Sequence, residues 1–349
     1  MSRHTFMTRW TQIVAVSAVL FVPFTGSHAE PIPLVAASSA APGSTIREHF
    51  VAFEHTIKRT FDGDIEVTLL VDGETGSEET SLASLRRGRV HFSVMSVAAA
   101  STVVPELALL MSPYLFNSDE EADYVLDNFL LEPFTELFAK KGVVLVRWVD
   151  SGWAVIYGQK PILWPRDAAG YRMRAASALT AQKFLDAVDA DVIPLPFADI
   201  IPALQTGLID GGATSPFMYL VGGLYEHAKE LTLTRHALNP GTVIANKSWF
   251  DALSKKNQHA VVRAYAPSAI LRVETRTQTC EAYNILRSLG VNVHEPSYDQ
   301  RQAWKTFAER THGDVVRKIG GRAAKIYDTI IAGKIAFAAT GVIAVSPCG

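Results

Sequence analysis

The sequence predicts an α/β fold built as two lobes of similar construction with a largely parallel sheet. Three observations carry that expectation. Strand-like and helix-like stretches alternate along the chain, as α/β layers require. A helix–glycine–strand unit occurs twice, as "LASLRRGRVHFSVMS" (residues 82–96) and "IPALQTGLIDGGATS" (residues 201–215). In each, a left-handed Gly would end a helix and turn it straight into a strand; the alternative is coincidental reuse of a common turn. Finally, residues 249–290 read as helical for most of their length, too long for one small lobe, with Pro267 as a kink or break.

Taken in order, "MSRHTFMTRW" carries Arg3 and Arg9, the apolar "IVAVSAVLFVPF" follows, and "GSHA" ends in small residues. This is the three-part pattern of an export leader, residues 1–29, cleaved after Ala29. The apolar run is about half the roughly 20 residues that a membrane span needs. The expected mature protein is therefore soluble and periplasmic. "IPLVAASSA" reads as a short strand entering a small-residue loop. The next segment has Ile46, Phe50, Phe53 and Ile57 at helical spacing, and "DIEVTLLVDG" alternates as a strand. Further amphipathic helices follow residue 298, and the tail "TGVIAVSPCG" has no usable pattern.

Composition excludes several functions. The 349 residues are 48% hydrophobic, enough for two real cores, and carry a formal net charge of -2 with no basic stripe, which argues against nucleic-acid binding. There is no G-x-S-x-G elbow, P-loop or H-E-x-x-H, and no cofactor is expected. "VDGETGSEE" reads as a turn before a helix capped at Ser77 or a neighbour, with Glu78 and Glu79 in its first turn; Ser118 caps another in "NSDEEAD". His49 and His55 do not share a helix face and read as solvated surface residues. Cys280 and Cys348, the two cysteines, lack metal-ligand spacing. They form either a bridge pinning the tail or a buried thiol and a loose one.

One stretch raises a question of chemistry. "AAGYRMRAAS" (residues 168–177) places Arg172 and Arg174 on the same face of a strand that runs into small residues. Either this is an edge strand with solvated charges, or one arginine holds an anion.

"GETGSEE", "MSPYLF", "GQKPI", "PRDAAGYRMR", "LPFADIIPALQTGLIDGG" and "NKSWFDALS" together resemble the extracytoplasmic solute receptors of TRAP transporters, the dicarboxylate-binding DctP-like type, over nearly the whole mature chain. The resemblance implies a two-lobed periplasmic binding protein fold, class II-like, with a long helix crossing both lobes. It implies a receptor and not an enzyme: a small organic carboxylate is captured in the cleft and delivered to membrane permease subunits. Arg174 matches the basic residue that grips the ligand carboxylate, leaving Arg172 as a structural or surface charge; a planar guanidinium meets both carboxylate oxygens. Phe197 matches a ring packed on the ligand, and Ser177 and Thr214 match polar contacts. Ser38 and Ser39 end the first strand, and Met95 and Ser96 end the strand of the first helix–Gly–strand unit; such strand ends bind ligands in open α/β sheets. His236 is a further candidate. Two departures stand out. "DSGWAV" has Ala154 where many members carry a second Arg, with Trp153 as an apolar wall, and "DGGATSP" has Ala213 and Thr214 where many have Glu-Asn. One anchor with fewer polar partners favours a monocarboxylate or less hydroxylated acid over a sialic-acid-like sugar. The expected division is residues 30–151 plus 240–279 as lobe I, 152–239 plus 280–335 as lobe II, and 336–349 as a tail. The rival readings are a receptor that presents its ligand to a sensor kinase and a periplasmic enzyme using the same cleft.

Overall fold

The computed structural model describes residues 30–39 and 45–343. The leader assigned to residues 1–29 lies outside the described residues, as does Cys348 and with it the expected alternatives for its pairing.

The first lobe begins with β1 (Ile32–Ala37), α1 (Thr45–Thr60), β2 (Ile65–Leu70), α2 (Glu78–Arg86), β3 (Phe92–Ser96) and α3 (Val97–Ala100). α1 buries Phe50, Phe53 and Ile57 completely against one face of the sheet, where Phe53 stacks on Phe92 with ring centroids 4.5 Å apart. Next come α4 (Asp119–Val125), whose first turn is capped by Ser118, α5 (Leu131–Ala139) and the 16-residue strand β4 (Val143–Gly158). The second lobe repeats the opening motif as β5 (Arg172–Ala175), α6 (Leu179–Asp186), β6 (Asp191–Pro194), α7 (Ile200–Gln205), β7 (Gly211–Thr214) and α8 (Pro216–Val221). The 17-residue β8 (Glu230–Asn246) then returns to the first lobe.

The twin units are real. Gly88 follows α2 with φ +74°, Gly207 follows α7 with φ +69°, and each turn leads directly into a strand. A residue with a Cβ would be strained at either position. Both strands also end alike: Ser96 accepts a hydrogen bond from Ala99 N–H to cap α3, and Ser215 accepts one from Met218 N–H to cap α8.

All strands join one sheet in the order β2-β1-β3-β8-β4-β7-β5-β6. β1 pairs in parallel with β2 and β3, and β5 with β6 and β7, so each lobe has a parallel half-sheet. The sheet as a whole is mixed, not largely parallel. Its centre is the long antiparallel pair β4/β8, and β3/β8 and β4/β7 are antiparallel too. The physical reason is that β4 leaves the first lobe and β8 comes back, so the two run in opposite directions and each is shared by both lobes. Residues 143–149 of β4 and Val243–Ala245 of β8 pack in first-lobe cores, whereas Val155 and Tyr157, with Leu231 and Leu233, pack in a second-lobe core.

The expected long helical stretch is three helices: α9 (Lys247–Ala252), α10 (Lys255–Ala264) and α11 (Ser268–Ser288), with Pro267 as a break at the α11 N-cap. α11 crosses between the lobes, burying Leu271 in a first-lobe core and Tyr283 and Leu286 in a second-lobe core. β9 (Asn292–His294) adds in parallel to β8. α12 (Tyr298–Ile319) crosses back, with Trp304 and Ala308 in a second-lobe core and Val315 in the first. The last helix, α13 (Ala323–Ala339), buries Ile326 and Ile330 beside Val125 and Leu126. α12 is thus long enough to pack against both cores, and α13 runs on to Ala339. Among the described residues no helix is long and apolar enough to cross a membrane.

α11 is pinned to the first lobe by charge. Arg272, only 6% exposed at its side chain, meets both oxygens of Asp127 at 2.6 and 2.9 Å and Asp123 at 3.0 Å. Arg276 adds a 2.8 Å bond to Asp123. Replacing Arg272 with Ala strands the partly solvated Asp127, leaves Asp123 to Arg276 alone, and should lower unfolding free energy by about 1–3 kcal/mol, read by urea denaturation. A loss too small to measure would mean that the bridge does not hold the crossing helix.

Candidate functional site

A cavity of about 590 Å³ opens where the two lobes face each other. Its walls are the carboxyl ends of the parallel strands β1, β3, β5 and β7, which converge on it from both sides, with the middle of β4, the turn of β8 at Pro240 and one face of α11. Strand-end residues at such a crevice have free backbone groups and side chains aimed away from the sheet.

Eight of the ten residues singled out in the sequence line this cavity: Arg174, Phe197, Ser177, Thr214, Ser38, Ser39, Met95 and Ser96. The two arginines of β5 have different fates. Arg172 is exposed and makes a two-pronged ion pair with Asp210 at 2.6 and 2.8 Å. Arg174, further along the strand, is 6% exposed and faces the cavity. Its Nε donates to Leu195 O at 2.9 Å and its Nη1 to Ala213 O at 3.5 Å, which fixes the plane of the guanidinium. No carboxylate among the described residues reaches it at ion-pair distance. Burial pushes its pKa down, opposed by Tyr157, Glu79 and Glu78. Gly212 makes room for this arrangement: a Cβ there would stand 2.7 Å from Tyr157 Oη and 3.0 Å from Arg174 O. The "DGG" of the sequence is therefore a packing requirement behind the anchor.

Two expected site residues lie elsewhere. Trp153 does not wall the cavity. The register of β4 shifts between Asp150 and Trp153, and the indole turns into the first-lobe core, where Nε1 donates to Asp119 Oδ1 at 2.8 Å. His236 lies behind Arg174, in a side pocket of about 30 Å³ lined also by Ala154 and Phe184. Its ring stacks on Phe184 at 4.6 Å and its Nδ1 meets Thr234 Oγ1 at 2.8 Å. Burial drives its pKa down to about 3, so it is a neutral core imidazole and offers no charge to an anion.

The structure adds acidic wall residues that the sequence concealed. Glu78 and Glu79, read only as the first turn of α2, both line the cavity. Glu78 accepts from Ser96 N–H (2.8 Å) and Ser96 Oγ (2.5 Å), and burial raises its pKa. Glu79 accepts from Ser177 Oγ at 2.5 Å, a hydrogen bond from one lobe to the other. His49 is not a solvated surface residue: it pairs with Glu274 of α11 at 2.5 Å in the cavity wall. These contacts join residues up to 225 positions apart, which no local pattern announces. Asp150 also lines the cavity; burial and the nearby Asp119 push its pKa up to about 6, against the Gly152 N–H and Arg276. Among the described residues no group of His, Cys, Asp and Glu is placed to hold a metal ion.

The profile of the DctP family, bacterial extracellular solute-binding protein family 7, matches residues 36–318. The ectoine-binding periplasmic protein TeaA of Halomonas elongata is 28% identical over 285 residues, 79% of this chain and 82% of TeaA. The C4-dicarboxylate-binding periplasmic protein DctP of Rhodobacter capsulatus is 24% identical over 309 residues, 88% of this chain and 92% of that one. Among solved structures, the sugar acid binding protein DctPAm of Advenella mimigardefordensis, in complex with galactonate, superposes with a TM-score of 0.81 at 24% identity, covering 87% of this chain and 99% of that one. A TRAP periplasmic solute binding protein of Shewanella oneidensis with bound succinate gives a TM-score of 0.81 at 18% identity, covering 87% and 99%. These likenesses confirm the two-lobed fold.

Two substitutions test the site's construction. Ala154 is 4% exposed beside Arg174 in the narrow side pocket, so Ala154→Arg overfills that space and buries a second cation against the first. Stability should fall by about 2 kcal/mol or more in urea unfolding; an unchanged midpoint would show that the new side chain escapes into the open cavity. Asp150→Asn keeps the acceptor for Gly152 N–H and removes a carboxylate whose folded pKa is raised. A raised carboxylate pKa costs stability where the unfolded state is ionised, so the variant should gain up to about 3 kcal/mol above pH 6, less between pH 6 and 4, and nothing below. A gain that does not vary across that window would rule out titration of Asp150 as its source.

Proposed function

The chain belongs to family 7 of the bacterial extracellular solute-binding proteins, the DctP-type receptors of TRAP transporters, and on that premise we propose that it is a periplasmic receptor that captures a small organic carboxylate between its lobes and delivers it to the transporter's membrane permease. The family is one of transport receptors, not enzymes. The observation that carries the proposal is Arg174: a buried, oriented guanidinium facing a roomy cavity, with no carboxylate of the described residues at ion-pair distance. Such a charge is costly to bury alone and gains most from a ligand carboxylate that takes both of its donor edges. Relatives whose names include C4-dicarboxylate and ectoine, and neighbours solved with galactonate or succinate, support a small carboxylate as the class. Phe197 and Met95 supply apolar walls, and Ser38, Ser39, Ser96, Ser177 and Thr214 supply polar contacts. The lobes close by bending where β4, β8 and α11 cross between them. The single strong anchor, with Ala154 in place of a second arginine, favours a monocarboxylate. Display of the ligand to a sensor kinase uses the same capture step; loss of carboxylate uptake on deletion of the receptor, with signalling intact, separates transport from it.

Titration calorimetry against a panel of organic acids, with mass spectrometry of any copurifying ligand, tests the capture step. Arg174→Ala should lose about 2–5 kcal/mol of binding, and Arg174→Lys should recover little, because an ammonium cannot present the planar fork. Arg172→Ala, which breaks only the exposed pair with Asp210, should bind as wild type does. Wild-type affinity in Arg174→Ala would refute the anchor.

A further inference from the structure

The charges lining the cavity are unequal, and several are paired locally. Asp72 is taken by Arg47 at 2.9 Å, Asp150 faces Arg276 at 3.6 Å, and Glu274 hydrogen-bonds His49 at 2.5 Å. Beyond the exposed Asp199 of the second lobe, what remains is Glu78 and Glu79 on the first lobe and Arg174 on the second. No cation among the described residues lies within ion-pair distance of either glutamate. Their hydrogen-bond partners, Ser96 and Ser177, carry no charge. The two carboxylates also act on each other, since Glu79 adds to the burial that raises the Glu78 pKa.

Consider the closed cavity with a carboxylate on Arg174. The one positive charge is then neutralised by the ligand, and Glu79 and Glu78 are enclosed without a countercharge. A ligand carrying a second carboxylate makes this worse, because like charges in a poorly hydrated space repel strongly. Hydroxyl groups would satisfy the glutamates as hydrogen-bond donors but leave the charge unbalanced. A cationic nitrogen does both. Phe197 and Phe217 line the same space, and an aromatic face attracts a cation.

We infer that the ligand is a zwitterion, with its carboxylate on Arg174 of the second lobe and a cationic nitrogen on Glu79 and Glu78 of the first. This rests on the carboxylate-receptor reading above and narrows it. It also ties the ligand to closure: each end belongs to a different lobe, so a ligand with both charges adds to the Glu79–Ser177 hydrogen bond that already joins the two.

The test is a matched series that shares one skeleton and differs only at the far end: butanoate, 4-hydroxybutanoate, 4-aminobutanoate and succinate, with parallel sets on longer and cyclic carboxylic acids, measured by calorimetry on the full-length mature protein. Within each set that binds, the ammonium member should bind at least about tenfold more tightly than the hydroxyl member, and the dicarboxylate most weakly. Glu79→Gln, which keeps an acceptor for Ser177 Oγ, should erase that preference by weakening the ammonium member and strengthening the dicarboxylate, and Glu78→Gln should act in the same direction. Circular dichroism and urea midpoints confirm that both variants fold; if Glu78→Gln does not, Glu79→Gln alone decides. A dicarboxylate or hydroxy acid preferred by wild type, or a preference unmoved in Glu79→Gln, overturns the zwitterion while leaving carboxylate capture standing. Failure of every carboxylate to bind the wild type overturns both.

Discussion

The antiparallel pairing of β4 with β8 is the constraint on which the rest of the molecule depends. Val143 pairs with Asn246 at one end and Gly158 with Glu230 at the other, so one ladder runs through both lobes. On one side it carries β3, β1 and β2, and on the other β7, β5 and β6. The mirrored order brings the carboxyl ends of four parallel strands to one crevice. It also places the irregularity at Asp150–Trp153 beside the cavity, in the stretch where the strand passes from one lobe to the other. A continuous sheet with a local fault at its middle can bend there at small cost while each flank stays packed.

Much of this was legible in the residues. The twin helix–Gly–strand units could be read because a left-handed turn restricts the residue type to Gly, and that restriction is local. α1 was legible from its apolar spacing and α2 from its Ser cap. The parallel character was overestimated because local pattern reports which stretches are strands but not which way distant strands run. β4 and β8 declare themselves partners only once the chain has folded. The same limit applies to α12, since nothing in its composition marks where one core gives way to the other.

The site divides along the same line. Arg172 and Arg174 look equivalent by spacing, and the resemblance to a known family, not the pattern, separated them; the physical difference is that the strand runs from a solvated edge into a closed crevice over those two residues. Trp153 was misplaced because a register fault redirects its ring. His236 was misplaced because burial, which decides its protonation, is invisible in "LTRHAL". Glu78 and Glu79 were recognised as helix-start residues, and they are. Their place in the cavity wall, shared with Arg174 about a hundred positions away, depends on the crevice that the folded sheet creates.

The shared ladder has a consequence for how the chain is made. β3 finds its partner in β8, with Phe92 opposite Ala245, so the first lobe cannot complete its sheet until synthesis has passed Asn246, and the second-lobe strands β5, β6 and β7 are all made within that wait. Pairings between such distant segments form slowly, because the long intervening chain must be ordered before any contact rewards it. The nascent polypeptide therefore lacks an early folded domain to lock it into shape. Late pairing is the counterpart of the shared architecture: the topology that joins two lobes in one sheet also leaves the growing chain without its central ladder until β8 has been made.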